Sequence, residues 1–226
     1  MVLKNKDMKF KDSGLAHRYL DNLVGVEIGA AAHNPFNLPN CINVDYTDDM
    51  NTTFKQGEFK LCGEKAKVDV IADGGDLPFK NNEYDYVISS HVIEHFFDPI
   101  AAIEEWFRVI KPGGYIFMIA PKQNALPGET RPCTKYTELL DRHSGKMTRK
   151  EVDMTGYQRS TVTGLPLEEH GHWSVWNLKE FVELCDHMKW IVVETEETDS
   201  KVGNGFTVIL QKKINKKTTK SKTDDK

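Results

Sequence analysis

Short apolar runs of strand length alternate with polar turns and helical spacings along most of the chain. Val24-Gly25-Val26-Glu27-Ile28, Cys41-Ile42-Asn43-Val44, Val68-Asp69-Val70-Ile71-Ala72, Tyr84-Asp85-Tyr86-Val87-Ile88 and residues 115–120 each read as a strand. Between the fourth and fifth, Ile93, Phe96, Phe97, Ile100, Ile103, Phe107 and Ile110 recur at helical spacing. Asp98-Pro99 interrupts them, with Pro99 placed to start the longer helix, and Lys111-Pro112-Gly113-Gly114 stops it. Leu15, Tyr19 and Leu20 predict a short amphipathic helix ahead of the first strand. Residues 50–67 are polar with little periodicity, a loop or weak helix. Leu178, Phe181, Val182, Leu184 and Cys185 predict a helix capped by Asn177, and residues 190–195 and 205–212 an antiparallel hairpin. Strands alternating with helices predict an α/β fold: a doubly wound, mostly parallel sheet closed by that hairpin.

Residues 121–176 break this rhythm, being rich in Pro, Gly, Thr, His and Arg. A segment that long is usually functional or disordered. It is read as a substrate lid inserted into a single domain over residues 1–212, with 213–226 a disordered polar tail. Chemistry is expected at the strand ends. Glu27 sits inside the first strand, and Gly29-Ala30-Ala31-Ala32 follows with almost no side chain, so a ligand can touch backbone there. The second strand ends in Asp45, an acid able to accept two ribose hydroxyls. The third ends in Asp73-Gly74. A glycine-poor turn with a downstream acid admits both a nucleoside-type ligand and an ordinary strand–turn.

Composition narrows the class only a little. With 226 residues, 39% hydrophobic and 28% charged, and a formal net charge of −4, this is one ordinary globular domain with no electrostatic signature of nucleic-acid binding. The apolar runs are too short for a membrane span, and the N-terminus lacks the apolar core of a signal peptide, so a cytoplasmic protein is expected. Cys41, Cys62, Cys133 and Cys185 are scattered without a CxxC pair, and free thiols are expected.

Over about residues 22–120 the chain resembles the class I S-adenosylmethionine-dependent methyltransferases, in the branch called type 11. In that family's first motif an acid is followed by glycines at the second, fourth and sixth places; here Glu27, Gly29, Ala31 and His33 stand there. His33, Pro35 and Pro39 predict a shortened or absent first helix. Asp45 resembles the ribose-binding acid, and Asp73-Gly74 followed by Leu77-Pro78-Phe79 the adenine-binding turn. Residues 84–95, ending Ser89-Ser90-His91-Val92-Ile93-Glu94-His95, resemble the fourth strand and the segment beside the methyl group. Arg108-Val109-Ile110-Lys111-Pro112-Gly113-Gly114 resembles the approach to the fifth strand. The resemblance implies S-adenosyl-L-methionine as cofactor, held by Glu27, Gly29, Ala31, Asp45, Asp73, Gly74, Leu77 and Ser89. The proline-interrupted first turn is also similar to methyltransferases encoded among glycosyltransferases for surface polysaccharides.

Transfer to a hydroxyl needs the acceptor in line with the methyl group and its proton removed, a task suited to histidine. His91 and His95, beside the reacting atoms by family geometry, are the catalytic candidates. His143, His170, His172 and Trp173 in the lid are the substrate-binding candidates, and Arg131, Arg142, Arg149 and Arg159 read either as holders of an acceptor's phosphate or carboxylate or as surface charge. Glu168, His170 and His172 lack the helical two-histidine spacing of a zinc enzyme, and no metal is expected. After Ile88 the sequence is Ser-Ser-His-Val, without the Asn/Asp-Pro-Pro-aromatic tetrad that base and glutamine amino-methylating relatives of this fold carry. The implied function is methyl transfer to a small acceptor, at a hydroxyl of a sugar, glycan precursor or related metabolite. The rivals are a catalytically silent binding protein and a nicotinamide oxidoreductase, the latter disfavoured by the missing glycine triplet.

Overall fold

The computed structural model describes residues 8–158 and 171–214. Its centre is a seven-stranded sheet of order β3-β2-β1-β4-β5-β7-β6. The strands are β1 (Gly25–Ile28), β2 (Cys41–Asp45), β3 (Val70–Ile71), β4 (Tyr84–Ser90), β5 (Ile110–Pro121), β6 (Ile191–Glu196) and β7 (Gly205–Gln211). The first five pair in parallel, and β7 enters antiparallel between β5 and β6. The expected doubly wound α/β sheet with an antiparallel C-terminal pair is the fold observed. β1 and the middle of β4 are buried on both faces, which is why they read as nearly unbroken apolar runs.

Helices cover the two faces. On one, α3 (Pro99–Val109) and α5 (Leu178–Met188) bury Ile100, Ile103, Trp106, Phe181 and Leu184 against the sheet. Asp98 accepts the Ala101 amide at 3.0 Å and Pro99 occupies the first turn, so the dipeptide that breaks the apolar spacing is the cap of α3. Asn177 and Glu180 form a capping box on α5. On the other face, α1 (Gly14–Leu20) packs Leu15, Ala16 and Leu20 beside Phe36 and Leu38. Residues 29–40 contain no helix, as Pro35 and Pro39 predicted, and Phe36 fills the space edge-on to Phe117.

Of the loop and weak helix left open for residues 50–67 the helix is observed, and three further elements differ from the sequence reading. Residues 53–62 form a regular helix, α2 (Thr53–Cys62), capped by Thr52 and ended by Gly63 in the left-handed region. Its pattern is inverted: Lys55, Glu58 and Cys62 face inward while Phe54 and Phe59 are exposed, so hydrophobic periodicity gave no signal. Residues 121–176 contain a further helix, α4 (Tyr136–His143), which buries Leu139 and Arg142. The third strand is only two residues long. Lys111-Pro112-Gly113-Gly114 ends α3 without leaving the sheet, because β5 begins directly at Ile110 and a bulge opposite Tyr84 and Tyr86 absorbs the extra residues. Gly114 is required there, since a Cβ would lie 2.4 Å from the Asp85 carbonyl oxygen. All four cysteines are free thiols, and among the described residues no helix is long and apolar enough to cross a membrane.

Candidate active site

The parallel register aligns the carboxyl ends of the strands. Ile28 stands opposite Val44 on one side and Ser89 on the other, and Asp45 opposite Ile71, so Glu27, Asp45, Asp73 and Ser89 reach the same edge of the sheet. Gly29 turns the chain there with φ +70, and a Cβ would meet Val92 at 2.8 Å. Glu27 is buried, and desolvation pushes its carboxyl up to about 8 against the opposing pull of Lys201 and Lys55. It lines a cavity of about 220 Å³ with Ala31, Pro35, Asn37, Cys41 and Asn43. That is smaller than the roughly 300–1,000 Å³ of a whole small-molecule pocket, and neither Asp45 nor Asp73 lines it.

The next two acids are tied differently. Asp45 accepts the Tyr46 amide at 2.8 Å and lies 3.7 Å from Lys55, and burial raises its carboxyl above the ordinary value. Asp73 is exposed and accepts the Gly75 amide at 2.8 Å. The Gly74 carbonyl accepts the indole N–H of Trp106 at 2.8 Å, and a Cβ at Gly74 would lie 2.8 Å from Ile28 and 3.0 Å from Phe96. The turn is therefore held tight against α3 and β1. Leu77 is buried with its amide committed to Glu105 at 2.8 Å, and Ser89 is fully buried, so both can meet a ligand only as part of the wall.

Two residues of this region escaped the sequence reading. Glu58 accepts the backbone amides of Ala32 and, at 2.9 Å, of Ala66. Lys55 donates to the Ala30 carbonyl at 3.2 Å and lies 3.4 Å from Glu58. A buried ion pair on α2 thus fastens the turn that lacks the family's second and third glycines. The spacing of Lys55 and Glu58, one helical turn apart, was the available signal.

Past β4 the chain enters the histidine cluster. His91 adopts φ 56, rare for a residue with a side chain, and its amide donates to Ile119 at 2.8 Å. Its Nδ1 lies 3.9 Å from Glu94 Oε1. His95 Nδ1 lies 3.3 Å from the Gly171 carbonyl, and its ring meets that of His172 edge-on at 4.8 Å. Residues 173 and 174 are anchored here: their amides donate to the Glu94 carbonyl at 2.7 and 3.4 Å. The fold thus brings His91, His95, His172 and Trp173 to one place.

Trp173 is also held by its own neighbours, and the remaining candidates of residues 121–176 lie apart. Trp173 packs edge-on against Phe97 at 5.7 Å with Arg149 over its ring. His143 bonds Asp98 at 3.0 Å and approaches Glu104, on the α3 side of the molecule. His170, Glu168 and Arg159 lie outside the described residues. Arg131 and Arg142 are not the surface charges or free anion holders expected of them: both are buried. Arg131 pairs with Glu129 and donates to the His172 carbonyl at 2.6 Å, while Arg142 pairs with Glu138 and donates to Ser174 Oγ at 3.1 Å. Their charges are spent on partners within residues 129–174.

Residues 16–118 match the family described as "Methyltransferase domain". The chain is 34% identical over 125 residues to a demethylmenaquinone methyltransferase of Staphylococcus carnosus, covering 55% of this chain and 51% of that protein. It is 29% identical over 138 residues to an uncharacterized protein of Methanocaldococcus jannaschii, covering 60% of this chain and 62% of that one. The chain thus spans between half and two thirds of the length of these relatives. Among solved structures, an S-adenosylmethionine-dependent methyltransferase of Methanosarcina mazei superposes with TM-score 0.52 at 17% identity, over 91% of this chain and 100% of that one. The sheet order and this likeness give the class I methyltransferase fold.

Proposed function

We propose that this protein is an S-adenosylmethionine-dependent methyltransferase that modifies a hydroxyl of a small acceptor: a sugar, a glycan precursor or a related metabolite. The observation that carries this reading is the placement of Glu27, Asp45 and Asp73 at the ends of three neighbouring parallel strands, with His91 and His95 following the fourth. Glu27 suits a cationic amine, because its burial leaves ionisation costly until a positive charge arrives. Asp45 would accept the ribose hydroxyls, and Asp73 with Gly74 would face the adenine edge. Gly29 and Ala31 allow backbone approach, while Leu77 and Ser89 form wall.

S-adenosylmethionine supplies an electrophilic methyl group on a sulfonium, so the chain's own work is orientation, exclusion of water and proton removal. His91 would take the acceptor's proton, with His95 beside it. His172 and Trp173, fastened through the Glu94 carbonyl, would close the acceptor side. The sugar class draws on the proline-interrupted turn and on a lid rich in polar and aromatic side chains.

Calorimetric titration with S-adenosylhomocysteine, with NAD as control, tests the cofactor assignment. Saturable binding of the first alone supports it, and binding of neither gives the lead to a silent binding protein. An acceptor screen of sugars, nucleotide sugars and a demethylmenaquinone, the acceptor in the Staphylococcus carnosus relative's name, then tests the substrate class.

A further inference from the structure

Glu94, His95 and His172 come together from two distant parts of the chain, each offering one ligand atom, and the three atoms lie within 4.8 Å of one another. Glu94 and His172 are buried, at 1% and 3% exposure. Two ligand atoms at roughly 2.1 Å from an ion stand at most about 4.2 Å apart, so movements under about 1 Å would bring all three onto one ion. We propose that Glu94, His95 and His172 bind one divalent first-row metal ion beside the methyl-transfer site, where it receives an oxygen of the acceptor.

His95 has the outer hydrogen bond that orients a metal-binding imidazole, and His172 has a carboxylate close by. The contact of His95 Nδ1 with the Gly171 carbonyl at 3.3 Å fixes its N–H there and turns Nε2 into the ligand. His172 Nδ1 lies 3.9 Å from Glu129 Oε2, and Glu129 is itself locked by Arg131, which also bonds the His172 carbonyl. The backbone is fixed as well, since the Trp173 amide next to His172 donates to the Glu94 carbonyl at 2.7 Å. Two imidazoles and one carboxylate suit Mn²⁺, Fe²⁺, Co²⁺ or Zn²⁺ better than Mg²⁺ or Ca²⁺, which prefer all-oxygen sets. Along the sequence His172 stands beside Glu168 and His170, a spacing from which no metal is expected, and only the fold sets it against Glu94 and His95.

The role rests on the methyltransferase reading above. A hydroxyl held by a divalent ion is more acidic. As the new oxygen–methyl bond forms, the methyl–sulfur bond breaks, sulfur keeps that electron pair, and the hydroxyl proton passes to His91. The products are a methyl ether, S-adenosylhomocysteine and one proton, with the metal unchanged.

The test uses tag-free full-length protein stripped with EDTA and titrated with Co²⁺, followed by absorption and equilibrium dialysis, with S-adenosylhomocysteine titrated in parallel. Saturable uptake of one Co²⁺ per chain is expected, weakened by more than roughly tenfold in His172→Asn and His95→Gln, with S-adenosylhomocysteine affinity unchanged. Should His172→Asn fail to fold, His95→Gln, at a less buried position, serves alone. Absence of saturable Co²⁺ uptake by the unsubstituted protein, or equal uptake by the variants, overturns the metal site while leaving the cofactor reading intact. Co²⁺ uptake lost in the variants, with no S-adenosylhomocysteine binding, sustains the site and overturns the cofactor reading instead.

Discussion

The Glu58 carboxylate, carried on α2, accepts the backbone amide of Ala32 in the turn after β1. Where the family pattern has glycines, this turn has Ala31 and His33, and its shape is imposed from outside by Glu58 and by Lys55, which donates to the Ala30 carbonyl. Replacing Glu58 by Ala removes half of a buried ion pair and leaves the Ala32 and Ala66 amides without their acceptor. A loss of about 3–5 kcal/mol of folding stability is expected. Urea denaturation measures it, and S-adenosylhomocysteine titration should show weakened binding; an unchanged midpoint and affinity would remove the role given to Glu58.

Glu27 links stability to pH. Its carboxyl is raised to about 8 in the folded protein by desolvation, against an ordinary value of 4.5. Between those values the folded state holds a proton that the unfolded state has lost, so this group's contribution to stability is complete below about pH 4.5 and is lost as pH rises through about 8. Glu27→Gln should flatten the change. The expected result in thermal melts of the ligand-free protein is a higher melting temperature for the variant at pH 8 to 9 and little difference at pH 5.

Asp45→Asn and Asp73→Asn test the two other strand ends. Each change keeps the volume and removes the charge, and a charged hydrogen bond of ~1.5–3 kcal/mol corresponds to roughly tenfold or more in S-adenosylhomocysteine affinity. Unchanged affinity in both would sink the cofactor assignment.

His91 is tested best by asparagine, which tolerates the left-handed backbone at φ 56 as alanine does not. Loss of a general base lowers turnover by roughly 10² or more. Methyl-transfer rate should fall in His91→Asn while cofactor affinity stays level. An unchanged rate excludes the proton-accepting role.

Asp98→Ala should cost about 1 kcal/mol, the ordinary worth of an N-cap, because Asp98 accepts the Ala101 amide at the start of α3. Its contact with His143 is on the surface and adds little. Chemical denaturation reads the difference, and a Pro99-led helix indifferent to the change would show that the proline alone sets the boundary.

Local chemistry made much of this protein legible from its sequence. The buried strands read as apolar runs because both faces of a parallel sheet are covered, and Asp98-Pro99 and Asn177 announced their helices because caps are side chain to backbone bonds within a few residues. The prolines at 35 and 39 excluded a helix after β1 for the same local reason. Tertiary structure alone decided the rest. Lys55 and Glu58 point inward on a helix whose phenylalanines face solvent, which makes sense only when the turn they hold is beside them. The buried Arg131 and Arg142 are explained by the Glu129 and Glu138 carboxylates and the His172 carbonyl, which folding brings to them. Glu94, His95 and His172 meet only because the chain at residues 172–174 returns to the end of β4, and periodicity carries no record of which distant segments a chain brings together.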